Sequence, residues 1–195
     1  MRTGPIAKRA FDVAVALPAL LLLAPVLLLT AVAVQLCMGS PVLFRHRRAS
    51  RRGRPFTLLK FRTMRPSAGN EPDAVRLTRL GALLRACSLD ELPQLWNVLR
   101  GDMSLVGPRP LLPEYLDRYT HEQARRHAVR PGLTGLAQVS GRNALSWPRK
   151  FELDVWYVDH ASLALDLRIL WRSAHCVLGR RGVAAPGHAT MPEFR

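Results

Sequence analysis

An apolar run at residues 13–34 constrains this chain more than any other feature. The run contains no charged residue and is long enough to cross the hydrocarbon core of a bilayer as one helix. Two prolines, Pro18 and Pro25, lie inside it, and each removes a backbone hydrogen bond and kinks a helix. The sequence therefore predicts a membrane segment that is broken, with the main kink at Ala24 and Pro25.

Basic residues lie on both sides of this run. Lys8 and Arg9 precede it, and arginines crowd residues 45–54 after it. Positively charged flanks stay on the cytoplasmic side of a membrane, and both flanks can do so only if the segment turns back. We therefore expect a re-entrant helix-break-helix hairpin rather than a span. A cleaved signal peptide fits poorly, because the apolar run is too long and no small-residue cleavage site follows it.

The charge of the chain predicts an anionic partner. Its 29 Lys and Arg residues against 14 Asp and Glu give a formal charge of +15 in 195 residues, enough chain for one domain with one core. Such a balance suits nucleic acid, an acidic membrane surface or a phosphorylated substrate. Because the arginines at residues 45–54 directly follow the membrane segment, we expect them to face anionic lipids and expect no nucleic acid.

Cys37, Cys87 and Cys176 have no metal-ligand spacing, which predicts reduced thiols and no zinc site.

The stretch SLDELPQLWNVLRGDMSLVGPRP at residues 88–110 carries an adjacent carboxylate pair, Asp90 and Glu91, in a chain short of acids. Apolar residues recur at helical spacing after the pair, and Pro93 fits only near the start of a helix. The pair is therefore predicted at a helix N-terminus, where anions are favoured. Ser88, three residues before Glu91, also matches a capping box, in which case the acids would only cap the helix.

Two arginines lie close to this pair in sequence. Prolines on either side of Arg109 fix the backbone there, and a planar guanidinium suits a phosphate oxyanion. Arg85 adds a second cation five residues before Asp90. Carboxylates with positioned arginines indicate phosphoryl chemistry, although Arg109 also fits an ordinary surface arginine in a proline-rich turn.

Two short extended runs around a glycine-containing turn predict a β-hairpin at residues 42–46 and 55–61, and Pro, Ser, Gly and Asn residues predict a loop at 64–73. Helical periodicity predicts a helix at 77–87 and a solvated amphipathic helix at 113–128. Residues 130–143 are rich in turn formers. Aromatic residues crowd the last third of the chain, where basic neighbours suit a bilayer interface and core packing is the alternative. Residues 179–195 lose periodicity and predict a loose tail.

These motifs carry a resemblance to a known family. Residues 88–110, with KFRTM at 60–64 before them and RPGLTG at 130–135 after them, resemble the bacterial sugar transferase family. These are the monotopic polyprenyl-phosphate phosphoglycosyl transferases, and this chain looks like their minimal single-domain form. Similar proteins often carry a serine before the central proline, whereas this chain has Ala24-Pro25. We expect the kink to survive with different stabilisation.

The resemblance implies an α-rich α/β fold, monotopic on the cytoplasmic face of the bacterial inner membrane. Residues 1–40 would form the re-entrant anchor, residues 41–178 the catalytic domain with interfacial amphipathic helices, and residues 179–195 a flexible tail. A homodimer is a plausible assembly.

The resemblance also implies a reaction. Asp90 would attack the β-phosphate of a UDP-sugar, releasing UMP and leaving a covalent phosphosugar that polyprenyl phosphate then displaces, which initiates surface-glycan synthesis. Glu91 would aid metal placement or proton handling, with Asp90 and Glu91 as ligands of Mg²⁺. The expected substrate-binding residues are Lys60, Arg62, Arg85, Arg109 and Arg142.

Two alternatives stay open from the residues themselves. One is another membrane-bound, Mg²⁺-dependent phosphotransferase or hydrolase that uses the same carboxylates. The other is a basic, membrane-anchored binding protein without activity, whose acids cap a helix. Among the transferases, GRNALSW at residues 141–147 and FELDVWY at 151–157 look like the subgroup that often uses N-acetylated sugars.

Overall fold

The computed structural model describes residues 4–66, 69, 71–141, 144–178 and 194. Helices dominate these residues and the strands form small two-stranded sheets, which confirms the predicted α-rich α/β class. The helices are α1 (Pro5–Leu22), α2 (Ala24–Met38), α3 (Asp73–Arg76), α4 (Arg79–Ala86), α5 (Gln94–Arg100), α6 (His121–Ala124), α7 (Leu136–Ser140), α8 (Trp147–His160) and α9 (Leu163–Leu178). The strands are β1 (Leu43–Ala49), β2 (Pro55–Phe61), β3 (Ser104–Val106) and β4 (Gly132–Thr134).

The apolar run forms two helices that meet at an angle of 60°. Helix α1 passes through Pro18 and ends at Leu22, and α2 begins at Ala24 with Pro25 in its first turn, where a missing N–H group leaves no hydrogen bond unmade. The predicted break at Ala24 and Pro25 is therefore confirmed. Within the described residues, no single helix is long and apolar enough to cross a membrane, and only α1 and α2 together meet that requirement.

The bent helix pair is packed into the rest of the protein on both of its arms. Ala16 of α1 has no exposed surface and joins the main core with Val98, Met103 and Ile169. Val34 of α2, also fully buried, belongs to a second apolar cluster with residues from β2 and α4. Both arms therefore contribute to the packing that holds the fold together.

Two small sheets lie between the helices. The predicted hairpin is confirmed, with β1 and β2 antiparallel and Leu43 opposite Phe61. Strands β3 and β4 pair in parallel, Ser104 opposite Gly132 and Val106 opposite Thr134. All three residues of β3 are buried, so this strand crosses the interior although it is short.

The prediction of one solvated helix at residues 113–128 is wrong. The chain instead forms a 3-10 helix at Pro113–Arg118, then α6, then a second 3-10 helix at Arg125–Ala128. Thr120 and Gln123 build a capping box that restarts the chain as α6. Alternating charges suggested a solvated face, but Arg126 is 3% exposed because it is ion-paired inside the protein.

The helix predicted at residues 77–87 is confirmed as α4, and the three cysteines are free thiols as expected. The predicted tail at residues 179–195 lies outside the described residues except for Phe194. The Phe194 ring packs 5.0 Å from Phe151 and 5.7 Å from Tyr115, between ring centroids.

Candidate active site

Asp90 and Glu91 lie in a 3-10 turn, Leu89–Glu91, ahead of α5. Ser88 has a left-handed backbone with φ of 56°, and its side chain makes no capping hydrogen bond. An N-cap residue needs an extended backbone to aim its oxygen at the helix, so the predicted capping box is wrong. The two acids therefore need another explanation than helix capping.

The Asp90 side chain is enclosed but has little to bind. The residue is 5% exposed, and no hydrogen bond or ion pair to its carboxylate occurs within the described residues. Burial, and then repulsion from Glu91, raise the pKa of Asp90 to about 6, against the attraction of Lys60, Arg85 and Arg109. Asp90 is thus a carboxylate that is costly to ionise and surrounded by cations.

Glu91 points to a different partner. Arg109 Nη2 donates to Glu91 Oε1 at 2.9 Å, and the charge of Glu91 raises the pKa of Arg109. The side chains are 54% exposed at Arg109 and 24% at Glu91. This ion pair therefore lies at the mouth of the site, where a substrate could reach it.

The position of Arg109 depends on close packing of the backbone just before it. A Cβ atom at Gly107 would lie 2.4 Å from the carbonyl oxygen of Arg130, which only glycine avoids. Gly107 N donates to the Thr134 carbonyl at 2.9 Å, and Gly132 N donates to the Pro108 carbonyl at 3.0 Å. Strand β3 and this turn therefore fix the backbone from which Arg109 reaches the acids.

Arg85 approaches from the last turn of α4. Its Nε donates to Thr63 Oγ1 at 3.1 Å. Helix α4 comes this close because of Gly81, where a Cβ atom would lie 1.9 Å from the Thr63 carbonyl oxygen. Thr63 lies two residues after the end of β2, so the packing at Gly81 brings α4 against the end of the β1–β2 hairpin.

Lys60, near the end of β2, completes the group. Its Nζ lies 5.4 Å from the centroid of the Phe44 ring, and burial lowers its pKa while Asp90 opposes that shift. We call Lys60, Arg85, Asp90, Glu91 and Arg109 the active-site cluster. The structure brings these five sequence-predicted residues into one electrostatically coupled group.

The other two predicted substrate ligands differ. Arg62 is 7% exposed, and its guanidinium donates to the backbone carbonyls of Met38, Gly39 and Ser40. These contacts close the C-terminal end of α2, so we assign Arg62 to holding α2 and not to the substrate. Arg142 lies outside the described residues.

Three further cations near Arg109 were not predicted from sequence. Arg126 pairs with Asp154 at 2.8 Å and donates to the Arg109 carbonyl at 2.7 Å. Burial, and then the charge of Arg109, lower the pKa of Arg48 to about 10 and that of Lys150 to about 8. Burial is the main cause of both shifts, and repulsion from Arg109 adds to it. No local pattern marks these residues, because each reaches Arg109 from a distant segment.

The described residues contain no group of three or more His, Cys, Asp or Glu side chains that could hold a metal by themselves. Asp90 and Glu91 are the only acids of the active-site cluster. Mg²⁺ commonly binds through one or two carboxylates together with substrate phosphates, so two carboxylates are a sufficient protein share.

Comparison with known proteins gives a consistent result. Residues 3–180 match the family described as bacterial sugar transferase. The chain is 54% identical over 193 residues to the uncharacterized sugar transferase EpsL of Bacillus subtilis (strain 168), covering 97% of this chain and 96% of that protein. It is 42% identical over 201 residues to the exopolysaccharide production protein ExoY of Rhizobium meliloti (strain 1021), covering 92% and 88%.

A third relative is the UDP-glucose:undecaprenyl-phosphate glucose-1-phosphate transferase of Caulobacter vibrioides (strain ATCC 19089 / CIP 103742 / CB 15). Identity is 44% over 186 residues, covering 88% of this chain and 69% of that protein. The family match extends over nearly the whole chain, and the active-site cluster lies inside it. The chain therefore belongs to the bacterial sugar transferase family.

Proposed function

We propose that this protein transfers a sugar 1-phosphate from a UDP-sugar to a polyprenyl phosphate and releases UMP, the step that commits a sugar to surface-glycan synthesis. The observation that carries the proposal is the Asp90 carboxylate, 5% exposed and coupled to Lys60, Arg85 and Arg109. The names of the relatives support the substrate classes. The site supports the chemistry.

Asp90 is the nucleophile in this proposal. A carboxylate oxygen forms a bond to the β-phosphorus of the donor, and the bond to the bridging oxygen breaks so that UMP leaves with that oxygen. A phosphate oxygen of the polyprenyl phosphate then attacks the same phosphorus and displaces Asp90, giving a polyprenyl diphosphate sugar. Covalent catalysis splits one difficult exchange into two displacements at one position.

The cations of the active-site cluster hold phosphate groups. Burial lowers the pKa of Lys60, and repulsion from Arg85 and Arg109 adds to that shift. A bound diphosphate would relieve this repulsion. Arg109 offers the planar fork that pairs with phosphate oxygens, and its exposure leaves it accessible to a soluble donor. Arg142, expected from sequence to act with them, remains part of the proposal.

The donor set of Asp90 and Glu91 fits Mg²⁺, because both are hard oxygen ligands and a cation would relieve the repulsion that helps to raise the pKa of Asp90. When bound, the ion offsets the charge of the diphosphate. Glu91 would hold it while also pairing with Arg109. Asp90 would face the ion and the phosphorus together.

We propose that the bent pair α1 and α2 enters the cytoplasmic leaflet of the bacterial inner membrane as a re-entrant anchor. Its apolar length and its 60° bend support this topology. Trp156 and Trp171 are 46% and 64% exposed, which suits helices at the bilayer interface. The arginines of β1 and the following turn would meet anionic lipid headgroups. A lipid-linked acceptor and a soluble donor would then meet at one depth.

The test is UMP release by detergent-solubilised protein supplied with a panel of UDP-sugars, Mg²⁺ and undecaprenyl phosphate. We expect release with one donor class, dependence on Mg²⁺, and loss in Asp90→Asn. Asp117→Asn is the matched control, because this aspartate is exposed and outside the active-site cluster. Intact-mass measurement after donor addition alone should find a sugar-phosphate adduct on the wild-type chain and none on Asp90→Asn.

The same assay separates the alternatives. UMP release without an acceptor, with free sugar phosphate as the second product, would identify a hydrolase and reject the transferase. No turnover with any donor, together with lipid binding that Asp90→Asn leaves unchanged, would favour a binding protein.

A further inference from the structure

A second cluster of buried polar side chains, apart from the active-site cluster, joins α1 to the interior of the protein. Lys8 Nζ lies 3.1 Å from Asp12 Oδ1 and 2.9 Å from Asp166 Oδ2. Asp12 has no exposed surface and Asp166 is 1% exposed. We call Lys8, Arg9, Asp12, Tyr157 and Asp166 the brace. None of these residues belongs to the active-site cluster.

The brace holds every residue of β3. Ser104 Oγ and Leu105 N donate to Asp12 Oδ1 at 3.0 and 3.1 Å. The Tyr157 hydroxyl shares its one proton between Asp166 Oδ1, at 2.7 Å, and the Val106 carbonyl oxygen, at 3.1 Å. Strand β3 is therefore fixed by side chains from α1 and α8 in addition to its pairing with β4.

Helix α1 also holds the other arm of the active site. The Arg9 guanidinium donates to the carbonyls of Val98 and Leu99, at the C-terminal end of α5. Helix α5 follows the turn that carries Asp90 and Glu91. The first turns of α1 therefore contact both α5, which follows the two acids, and β3, which precedes Arg109.

Such a buried ionic group is a costly way to join helices. Well-packed apolar side chains at the same positions would often stabilise a fold as much or more, whereas hydrogen-bonded charges fix one relative geometry. Asp12 accepts from the Leu105 backbone and the Ser104 hydroxyl, and Arg9 donates to two backbone carbonyls of α5. These directed contacts fix the positions of β3 and α5 along α1 and not merely their proximity.

We propose that the brace positions Arg109 against Glu91 and a bound diphosphate, so that its five members are positioning residues of the transfer reaction. The inference rests on the proposed function. Arg109 follows Val106 by three residues through a turn that packs backbone to backbone at Gly107. Because that turn has no room to absorb a shift, a displacement of β3 is carried to the guanidinium, and misplacement by about 1 Å costs about 100-fold in rate.

A double-mutant cycle in the full-length, detergent-solubilised protein tests the proposal. Tyr157→Phe and Asp12→Asn keep the shape of each side chain, and each is measured alone and with Arg109→Lys. We expect Tyr157→Phe alone to lower kcat/KM for the donor by about tenfold, with the larger part in KM, and to lower it less than about threefold when Arg109 is already changed. Losses that multiply in the double variants would overturn the proposal.

Thr30→Val is the matched control. Thr30 is 6% exposed and its hydroxyl donates only within α2, to the Val26 carbonyl at 2.7 Å, so it tests a buried polar loss in the bent helix pair without the brace. Its transfer rate should equal that of the wild-type protein at a temperature where both are folded. A loss equal to that of Tyr157→Phe would mean that any disturbance of the bent pair slows transfer, and would contradict the assignment.

Amide hydrogen exchange gives a second measurement that needs no substrate. Tyr157→Phe should speed exchange in the peptide that contains Leu105, Gly107 and Arg109, and leave the β1–β2 hairpin unchanged. Unchanged exchange in that peptide would overturn the brace whatever the activity. Absence of transfer by the wild-type protein, with faster exchange in Tyr157→Phe, would instead reject the proposed function and keep the brace.

Discussion

The active-site cluster and the brace contain the same kinds of residue, yet their charges are used differently. In the brace, the buried Asp12 accepts hydrogen bonds from Lys8, Ser104 and Leu105 through one oxygen. In the active-site cluster, the buried Asp90 makes no hydrogen bond within the described residues and carries a pKa of about 6. The second oxygen of Asp12, Oδ2, is buried and makes no hydrogen bond within the described residues, so the fold holds this carboxylate through Oδ1 alone. A carboxylate held by three donors fixes the elements around it, whereas one that accepts no hydrogen bond retains its capacity to react.

The largest expected effect is on Asp90. Asp90→Asn should lower transfer by about 1,000-fold or more, because an amide is not a nucleophile toward phosphorus. The same change should stabilise the fold by roughly 3 kcal/mol at pH 7, since a pKa raised from 3.8 to about 6 means that ionisation there costs folding free energy. Activity and thermal unfolding measured on one preparation check both; a destabilised Asp90→Asn would contradict the comparison.

Asp12 should respond in the opposite sense. Removing its carboxylate leaves the Ser104 and Leu105 donors buried without an acceptor, so Asp12→Ala should cost about 3–5 kcal/mol of stability. Denaturant unfolding of the two alanine variants, Asp12→Ala and Asp90→Ala, gives the contrast directly. Equal losses in both variants would remove the distinction between the two groups.

Arg109 separates binding charge from surface charge. Arg109→Ala should reduce transfer by about 100-fold, mainly through weaker donor binding, because a bidentate phosphate ligand is lost. Arg100→Ala is the control, since that arginine is 56% exposed and pairs with Asp102 at 3.4 Å. Its effect on transfer should stay within about twofold. Similar losses in both variants would argue that only overall charge matters.

The smallest effect concerns pH. Only ionised Asp90 attacks phosphorus, and without a metal ion its pKa is about 6. Bound Mg²⁺ favours the ionised carboxylate, so the rate of adduct formation in the presence of Mg²⁺ should rise with pH through a midpoint below about 6 and then level off. Glu91→Gln removes the repulsion that helps to raise the pKa of Asp90, and should therefore move the midpoint to lower pH. Single-turnover adduct formation followed by mass checks this shift. A midpoint that moves upward would assign the titration to another group.

Local chemistry explains which parts of the fold were predictable from sequence. Proline geometry predicted the break at Ala24 and Pro25, and two short extended runs separated by residues 51–54 predicted the hairpin of β1 and β2. Proximity in sequence linked Arg85 and Arg109 to the acids. Each of these predictions depended on residues that are neighbours in the chain.

The missed features depend on partners far away in sequence. Arg62 was predicted as a substrate ligand, but its guanidinium donates to backbone carbonyls at the C-terminal end of α2. Arg126 lies in a segment of alternating charges, and only its pairing with Asp154 of α8 makes it an interior residue. Ser88 matches a capping box in sequence, but its left-handed backbone leaves its side chain without a capping hydrogen bond. Such outcomes are decided by tertiary contacts, which periodicity does not report.

The ends of the bent helix pair have a consequence for how this protein can be rebuilt. Arg9 of α1 donates hydrogen bonds to carbonyls at the C-terminal end of α5, and Arg62, directly after β2, does the same at the end of α2. Ala16 and Val34 lie fully inside the two apolar clusters. The bent helix pair is thus not an independent module. A helix pair transplanted from another protein would restore the length and apolar character of this segment but not these four contacts. Removal of residues 1–40 would expose the apolar clusters that contain Ala16 and Val34. The bent helix pair and the rest of the protein therefore form one structural unit.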